Sequence, residues 1–179
     1  MLTKKKYYLI TSANELTWKF DRPVVFLGDW CRLYDRKHIW QDMDAVVAKP
    51  YGLGEFKKDT DYSKVKKLEE KLFTDFYEIL NQHHGTKHDE RFWQIVARHW
   101  FKLFVNLIFK SVNTLKHCLQ LYEISGTTVY TSDHYNLATL DFGSAIVALN
   151  DVRWNNFLTA RILTLLETGN LPIELLREK

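Results

Sequence analysis

A run of four apolar residues, 24–27 (VVFL), lies between Pro23 and Gly28 and constrains the fold more than any other feature of the sequence. An uninterrupted apolar run of this length, closed at both ends by residues that break regular structure, is typical of a strand buried on both faces. Strands of that kind occur in parallel sheets whose two faces are covered. More mixed runs predict three further strands, at residues 6–12, 45–48 and 127–131.

The clearest helical signal covers residues 61–82, where apolar side chains recur every three or four positions and charged ones fill the other face. Asp61 is placed to cap the start of this helix, and Gly85 to end it. The following segment, 89–122, is apolar almost all round through its middle, which is typical of a helix surrounded by protein. We therefore interpret this second helix as the central packing element.

Two shorter helices are expected at residues 137–149 and 151–167, the second of them capped by Asp151. Gly169 and Pro172 then break the chain and leave a short polar tail. With 7 Gly and 3 Pro in 179 residues, the chain has few turn-forming residues, which argues against a small all-β fold. The sequence therefore predicts an α/β fold with helices in excess of strands.

Charge, hydropathy and cysteine content exclude several classes of protein. The net charge is only +3, from 25 basic and 22 acidic residues, which is too even for a nucleic-acid-binding protein. No apolar window reaches the roughly eighteen residues of a transmembrane helix. The 2 cysteines are too few for a disulfide framework. We therefore expect a single cytoplasmic domain, residues 1–179, without a nucleic-acid partner or a transmembrane segment.

Asp29, Trp30 and Arg32 follow Gly28, which ends the predicted buried strand. In open α/β sheets, ligands bind in the crevice beyond the carboxyl ends of the strands. A carboxylate, a large ring and a guanidinium could there hydrogen-bond hydroxyls, stack on a sugar face and hold a phosphate. In the alternative interpretation, Asp29 caps the next helix, Trp30 fills the core, and Arg32 pairs with Asp35 at the surface.

The start of the predicted central helix carries a second candidate group, His88 and Arg91. A helix N-terminus presents free N–H groups and positive potential, and an arginine in its first turn would reinforce an anion site for phosphate or carboxylate. The alternative is a capping interaction with a solvated Arg91. His84 lies four residues before His88, but Gly85 intervenes and no third ligand is near, so no metal site is predicted.

The sequence predicts no cofactor. It contains neither a P-loop nor a Gly-rich dinucleotide motif after a strand. The Asp-x-Asp patterns at residues 42–44 and 59–61 are interpreted as solvated carboxylates, because this short pattern is frequent by chance and the first precedes a strand. Cys31 has no histidine beside it in the sequence, so we interpret it as a small buried thiol.

Three strings give the sequence a resemblance to a known family: LITSANELTW, PVVFLGDWCRLYDRKHIW and LNQHHGTKHDERFWQIVARHWF, in this order. They resemble the opening of a family of bacterial transferases from O-antigen and surface-polysaccharide biosynthesis regions, and the similarity continues to DVRWNNFLTARIL. Family members are considerably longer than this chain. Where they carry a Gly-Pro pair, this chain has Arg98-His99, so its helix is expected to run straighter.

The resemblance implies a glycosyltransferase-like enzyme of the B-type architecture, with two Rossmann-like halves around a cleft. This chain would be the N-terminal half, which usually handles the acceptor, here a sugar or glycan. A nucleotide sugar would be the co-substrate of the full-length enzyme, and the isolated chain is expected to show little or no turnover without its C-terminal transferase domain. The alternative is a non-catalytic, helix-rich interaction module that docks a partner domain or protein.

The resemblance also gives roles to the candidate residues. Asp29 is the candidate catalytic base, because a carboxylate can activate the acceptor hydroxyl. Cationic groups would stabilise the leaving phosphate, and Arg91 is the candidate cation. The expected substrate-binding residues are Gly28, Trp30, Arg32, His88 and Arg91.

Overall fold

A computed structural model describes residues 5–132, 137–166 and 171–177. The chain forms two compact units, a sheet unit of Met1–Pro50 with Thr114–Lys179 and a helical unit of Tyr51–Asn113. The predicted single domain over residues 1–179 stays a prediction.

One five-stranded sheet, in which all paired strands are parallel, organises the sheet unit, with the spatial order β3-β2-β1-β4-β5. The chain starts in the middle of the sheet, proceeds to one edge, and then crosses to the other side of β1. This arrangement confirms the predicted α/β, Rossmann-like fold with helices in excess. The strands are β1 (Lys6–Ile10), β2 (Val24–Phe26), β3 (Ala45–Val47), β4 (Glu123–Thr131) and β5 (Ile173–Arg177).

The helices, in chain order, are α1 (Lys37–Trp40), α2 (Glu55–His84), α3 (Glu90–Leu121), α4 (Phe142–Ala148) and α5 (Val152–Leu165). The central strands are buried as the apolar run predicts: Val24, Val25 and Leu9 have no exposed surface. Burial of such side chains is the main stabilising contribution to a sheet covered on both faces.

The prediction of a polar tail after Pro172 was wrong, because Ile173–Arg177 forms strand β5 beside β4. Its backbone is in register with β4 from Thr127 opposite Ile173 to Thr131 opposite Arg177. The strand lies at the sheet edge and none of its side chains is fully buried, so its sequence lacks a continuous apolar run. Edge strands of this kind give weak periodic signals.

Helix α2 begins at Glu55, six residues before the predicted cap at Asp61. Asp61 lies inside the helix instead, where its carboxylate accepts a hydrogen bond of 2.7 Å from the Tyr51 hydroxyl. The chain can turn into the helix earlier because Gly54 adopts a φ of 115°, which side-chain-bearing residues rarely reach. The predicted end at Gly85 is confirmed, with a left-handed φ of 64°.

Helix α3 is 32 residues long and continues without interruption through Arg98-His99, as expected from the absence of proline. Helix α4 begins at Phe142, after its cap Asp141. The prediction that residues 137–141 also belong to this helix was therefore wrong. Asp151 caps α5 as predicted, through a 2.7 Å bond from the Trp154 backbone N–H. The predicted end of that helix at Glu167 and the predicted break at Gly169 lie outside the described residues.

Tyr8 links the two central strands through its side chain. Its hydroxyl lies 2.6 Å from the Thr128 hydroxyl, in a buried hydrogen bond between β1 and β4. We expect Tyr8→Phe to lower the free energy of unfolding by about 1 kcal/mol, since it removes one buried hydrogen bond and leaves Thr128 with a poorer set of partners. Urea denaturation measures this change.

Tyr7→Phe is the matched control for that experiment. The Tyr7 ring packs edge-on against Tyr122, with ring centroids 5.7 Å apart, and this contact does not involve the hydroxyl. Equal losses of stability in both variants would contradict the assigned role of the bond between Tyr8 and Thr128.

Candidate functional site

A cleft of about 690 Å³ opens at the carboxyl ends of β1, β4 and β5. The strand order reverses between β1 and β4, and this switch point is where ligands bind in open α/β sheets. The volume is that of a small-molecule site. The lining side chains come from the loop after β1, the ends of β4 and β5, and the start of α5: Ser12, Asn14, Leu16, Tyr130, Asp151, Val152, Arg153, Asn156, Leu176 and Arg177.

The loop after β1 is held in place by its own polar side chains. The Ser12 hydroxyl accepts a 3.2 Å bond from the Asn14 backbone N–H. The Asn14 side-chain oxygen then accepts a 3.1 Å bond from the Leu16 N–H and caps the short 3-10 turn Glu15–Thr17. Trp18 donates its indole N–H to the Ser12 carbonyl at 2.9 Å. These bonds fix Ser12 and Asn14 at the end of the strand.

Asn156 joins α5 to the end of β4 and forms part of the cleft wall. Its side-chain oxygen accepts a 2.9 Å hydrogen bond from the backbone N–H of Tyr130. The side chain is only 1% exposed, and within the described ranges its Nδ2 has no hydrogen-bond partner. A buried amide N–H without a partner costs about 1–3 kcal/mol.

The predicted residues Asp29, Trp30 and Arg32 lie together at the carboxyl end of β2, where Asp29–Cys31 forms a 3-10 turn. The Arg32 guanidinium donates to the Asp29 carboxylate at 2.7 Å and lies 5.1 Å from the Trp40 ring. Trp30 is 57% exposed, so the alternative in which it fills the core was wrong. The alternative pairing of Arg32 with Asp35 is replaced by the pair with Asp29.

Gly28 provides space for the Trp30 ring in its observed position. Its backbone is extended, but a Cβ at this position would overlap the indole ring of Trp30, which packs directly on it. Glycine therefore lets a large exposed ring lie flat at the end of β2. Asp29, Trp30 and Arg32 do not line the switch-point cleft, and their assignment as substrate-binding or catalytic residues stays a prediction.

His88 and Arg91 belong to the helical unit, at the start of α3. Asn81 holds the His88 backbone, donating to its carbonyl at 2.8 Å and accepting from its N–H at 3.0 Å. The His88 ring stacks on Phe92, with centroids 3.8 Å apart. Asp89 caps the helix by accepting a 2.8 Å bond from the Phe92 N–H, while Arg91 is exposed. The predicted anion site there stays a prediction.

His84 and Asp44, two residues of types that can bind metal ions, make other contacts in the structure. The ring of His84 stacks on Trp93 at 5.8 Å. Asp44, from the first Asp-x-Asp pattern, pairs with Lys5 at 2.7 Å. Among the residues that the structure describes, no group of three or more His, Cys, Asp or Glu side chains is arranged to hold a metal ion.

Cys31 is buried, as predicted, and burial raises the pKa of its thiol to about 12. Burial has the same effect on Cys118 in α3, whose pKa is also raised to about 12. Because thiolate is the reactive form, the raised pKa keeps both thiols protonated and unreactive at pH 8. We expect an aromatic disulfide reagent to label neither cysteine quickly in the native chain and both in denaturant. Rapid labelling of either cysteine in the native chain would contradict the described burial of the two thiols.

A second cleft, of about 400 Å³, lies between α2 and α3 within the helical unit. Its notable feature is a carboxylate, Glu69, of which only 4% of the residue is exposed. The Arg98 guanidinium lies 3.4 Å from this carboxylate and 5.3 Å from the Phe73 ring. The sequence places Glu69 on the charged face of a helix, so its burial was not predicted.

Sequence reasoning did not identify the residues of the switch-point cleft as site residues. A signal exists for some of them: polar side chains follow β1 directly, at Ser12 and Asn14, as they follow β2 at Asp29. Asn156 and Arg177 give no such signal, because their placement depends on the order of the strands.

The chain matches a known protein family. The family model described as LIC12162 family transferase matches residues 7–179. No curated protein and no solved structure matches the chain. Within the described residues, no helix combines the length and the apolar character that spanning a membrane requires. Because the family model covers nearly the whole sequence, the chain belongs to the LIC12162 family of transferases.

Proposed function

We propose that the chain is the acceptor-side domain of a glycosyltransferase-like enzyme of bacterial surface-polysaccharide or O-antigen biosynthesis. Membership of a transferase family supports the transfer of a chemical group. The observation that carries the proposal is the cleft of about 690 Å³ at the switch point of the parallel sheet. In folds of this class that position is where ligands bind.

The lining of this cleft suits a sugar. Ser12, Asn14 and Asn156 offer hydroxyl and amide groups that can bond sugar hydroxyls. Leu16 and Val152 offer apolar surface for the carbon face of a sugar ring. A site that combines a few placed polar groups with apolar walls is the usual form of a small-molecule site.

The loop after β2, whose residues do not line this cleft, carries the proposed reacting groups. Asp29 is proposed as the base that accepts the proton of the acceptor hydroxyl, with Arg32 holding its carboxylate in position. Trp30, more than half exposed, is proposed as a stacking surface for the acceptor ring. A nucleotide sugar is the proposed co-substrate. His88 and Arg91 are kept as proposed anion-binding residues of the helical unit.

Transfer activity tests this proposal. Turnover of the full-length enzyme is measured with a panel of nucleotide sugars and glycans. The Asp29→Asn variant should have a kcat lower by about 10²–10⁴-fold, as expected when a general base is lost. Asp29 is exposed, and its surface ion pair contributes at most about 1 kcal/mol, so folding should be unaffected. Asp35→Asn, an exposed acid in the same loop, is the control and should keep normal turnover.

Two outcomes would contradict the proposal. Normal turnover in Asp29→Asn would remove the assigned base. Failure of every nucleotide sugar to react, in protein shown to be folded by circular dichroism, would remove the glycosyltransferase-like activity itself.

A second candidate function, a non-catalytic docking module, is supported by exposed apolar side chains in the helical unit. Ile95 and Val96 are adjacent on α3 and are 73% and 60% exposed, and Ile79 on α2 is 60% exposed. Exposed apolar groups that cluster are typical of interaction surfaces. Ile95→Glu would abolish partner binding under this function and would leave transfer activity unchanged under the first.

A further inference from the structure

We propose that the switch-point cleft binds the oxyanion of its ligand, a phosphate or carboxylate group carried by a sugar, with Asn156 and Arg177 as hydrogen-bond donors. This inference rests on the proposed function, because it takes the cleft as the substrate site. It goes further by assigning the charge of the ligand and the residues that recognise it.

Three side chains of the cleft already accept hydrogen bonds from backbone N–H groups. The Asn14 side-chain oxygen accepts from the Leu16 N–H, and the Asn156 oxygen accepts from the Tyr130 N–H. One carboxylate oxygen of Asp151 accepts from the Trp154 N–H at the start of α5. These bonds go to fixed backbone groups, so a ligand that offered only donors would find few free acceptors.

The amide donors of the cleft also favour a ligand that accepts hydrogen bonds. Since backbone N–H groups fix the oxygens of Asn14 and Asn156, the amide N–H₂ group of each must be on the other side of its side chain. The Nδ2 of Asn156 is buried and has no hydrogen-bond partner among the described residues. Because buried donors are usually paired, an acceptor oxygen from a ligand would satisfy it.

The charges of the lining side chains also favour an anionic ligand. Among the described residues that line the cleft, Arg153 and Arg177 are cationic and Asp151 carries a carboxylate. Arg153 lies in the first turn of α5, a helix of 14 residues whose N-terminal dipole adds positive potential. Asp151 is the cap of this helix, so the dipole offsets part of its negative charge. Guanidinium groups beside an amide donor favour the planar, multiply accepting oxygens of phosphate and carboxylate.

Binding to the full 179-residue chain tests the inference, with four probes measured by titration calorimetry. Glucose is the neutral probe, glucose 1-phosphate and glucuronate carry the two oxyanions, and inorganic phosphate carries no sugar. We expect at least one of the two charged sugars to bind at least ten times more tightly than glucose. The better of the two identifies the source of the oxyanion, and tighter binding than inorganic phosphate shows that the sugar is also recognised.

Arg177→Gln should weaken binding of the preferred charged sugar about tenfold or more, while binding of glucose stays unchanged. Arg177 is exposed at the end of an edge strand, so its replacement should not disturb folding. Arg161→Gln is the matched control, since Arg161 is exposed on α5 and does not line the cleft. A loss in both variants would mean general charge attraction and would overturn the inference.

Asn156→Asp tests the amide directly. It keeps the acceptor for the Tyr130 N–H but replaces the donor by an oxygen, which repels an oxyanion, so binding of the charged sugar should disappear. If this variant does not fold, the Arg177 result decides alone. Equal affinity for glucose and both charged sugars, or no binding of any probe, would overturn the inference. Neither result affects the proposed transferase role, which is judged separately by turnover in the Asp29 variants.

Discussion

Replacing Phe73 with alanine is expected to lower the free energy of unfolding by about 3–5 kcal/mol, the usual cost of deleting a buried aromatic side chain. Phe73 is 1% exposed and lies in the apolar cluster of the helical unit. Its ring contacts Phe101 edge-on, with centroids 5.4 Å apart, and so joins α2 to α3. The substitution removes both the buried surface and this contact, and urea denaturation followed by circular dichroism measures the loss.

Ile79→Ala is the matched control for Phe73→Ala, because Ile79 lies on the same helix and is 60% exposed. Its replacement should change the stability by less than about 1 kcal/mol. A similar, small effect in both variants would show that the two helices do not share the packed interior described here.

Replacing Arg98 with methionine is expected to cost about 3 kcal/mol, because it leaves the buried carboxylate of Glu69 without its cation. Arg98 is the described ion-pair partner of Glu69, at 3.4 Å. Methionine retains much of the apolar packing of the arginine stem, so the loss reports mainly on charge. Denaturation in urea at pH 7 provides the measurement.

The double variant Glu69→Gln with Arg98→Met separates charge from packing. Removing both charges should recover most of the stability lost in Arg98→Met, since a neutral amide is far cheaper to bury than an unpaired carboxylate. Lys102→Met removes an exposed cation that lines the same cleft and should cost less than about 1 kcal/mol. If the double variant recovered no stability, the unpaired Glu69 carboxylate would not be the cause of the loss in Arg98→Met.

The parts of the fold that were predicted correctly are those whose sequence carries a local signal. Strand β2 was predicted because its apolar run is bounded by Pro23 and Gly28, and all its residues are buried. Strand β5 was missed because an edge strand needs only partial burial, and its sequence IELLR shows no clear period. The start of α2 was placed too late, because Asp61 is a possible cap but the glycine turn before Glu55 is the actual entry.

The candidate site residues likewise divide into those with a local signal in the sequence and those without one. Asp29, Trp30 and Arg32 are neighbours in sequence, so their grouping could be predicted, whereas the sequence left open whether Trp30 is exposed or fills the core. The switch-point cleft instead combines residues from near both ends of the chain, such as Ser12 and Arg177. Their proximity depends on β1 lying in the middle of the sheet, a fact of topology that no local pattern contains.

Amide chemical-shift mapping with glucose 1-phosphate tests most directly whether the transferase substrate binds where the strand order reverses. The largest changes are expected at Ser12, Asn14, Asn156 and Arg177, with a titration that saturates. Changes confined to the cleft around Glu69, or spread evenly over the surface lysines, would contradict this expectation.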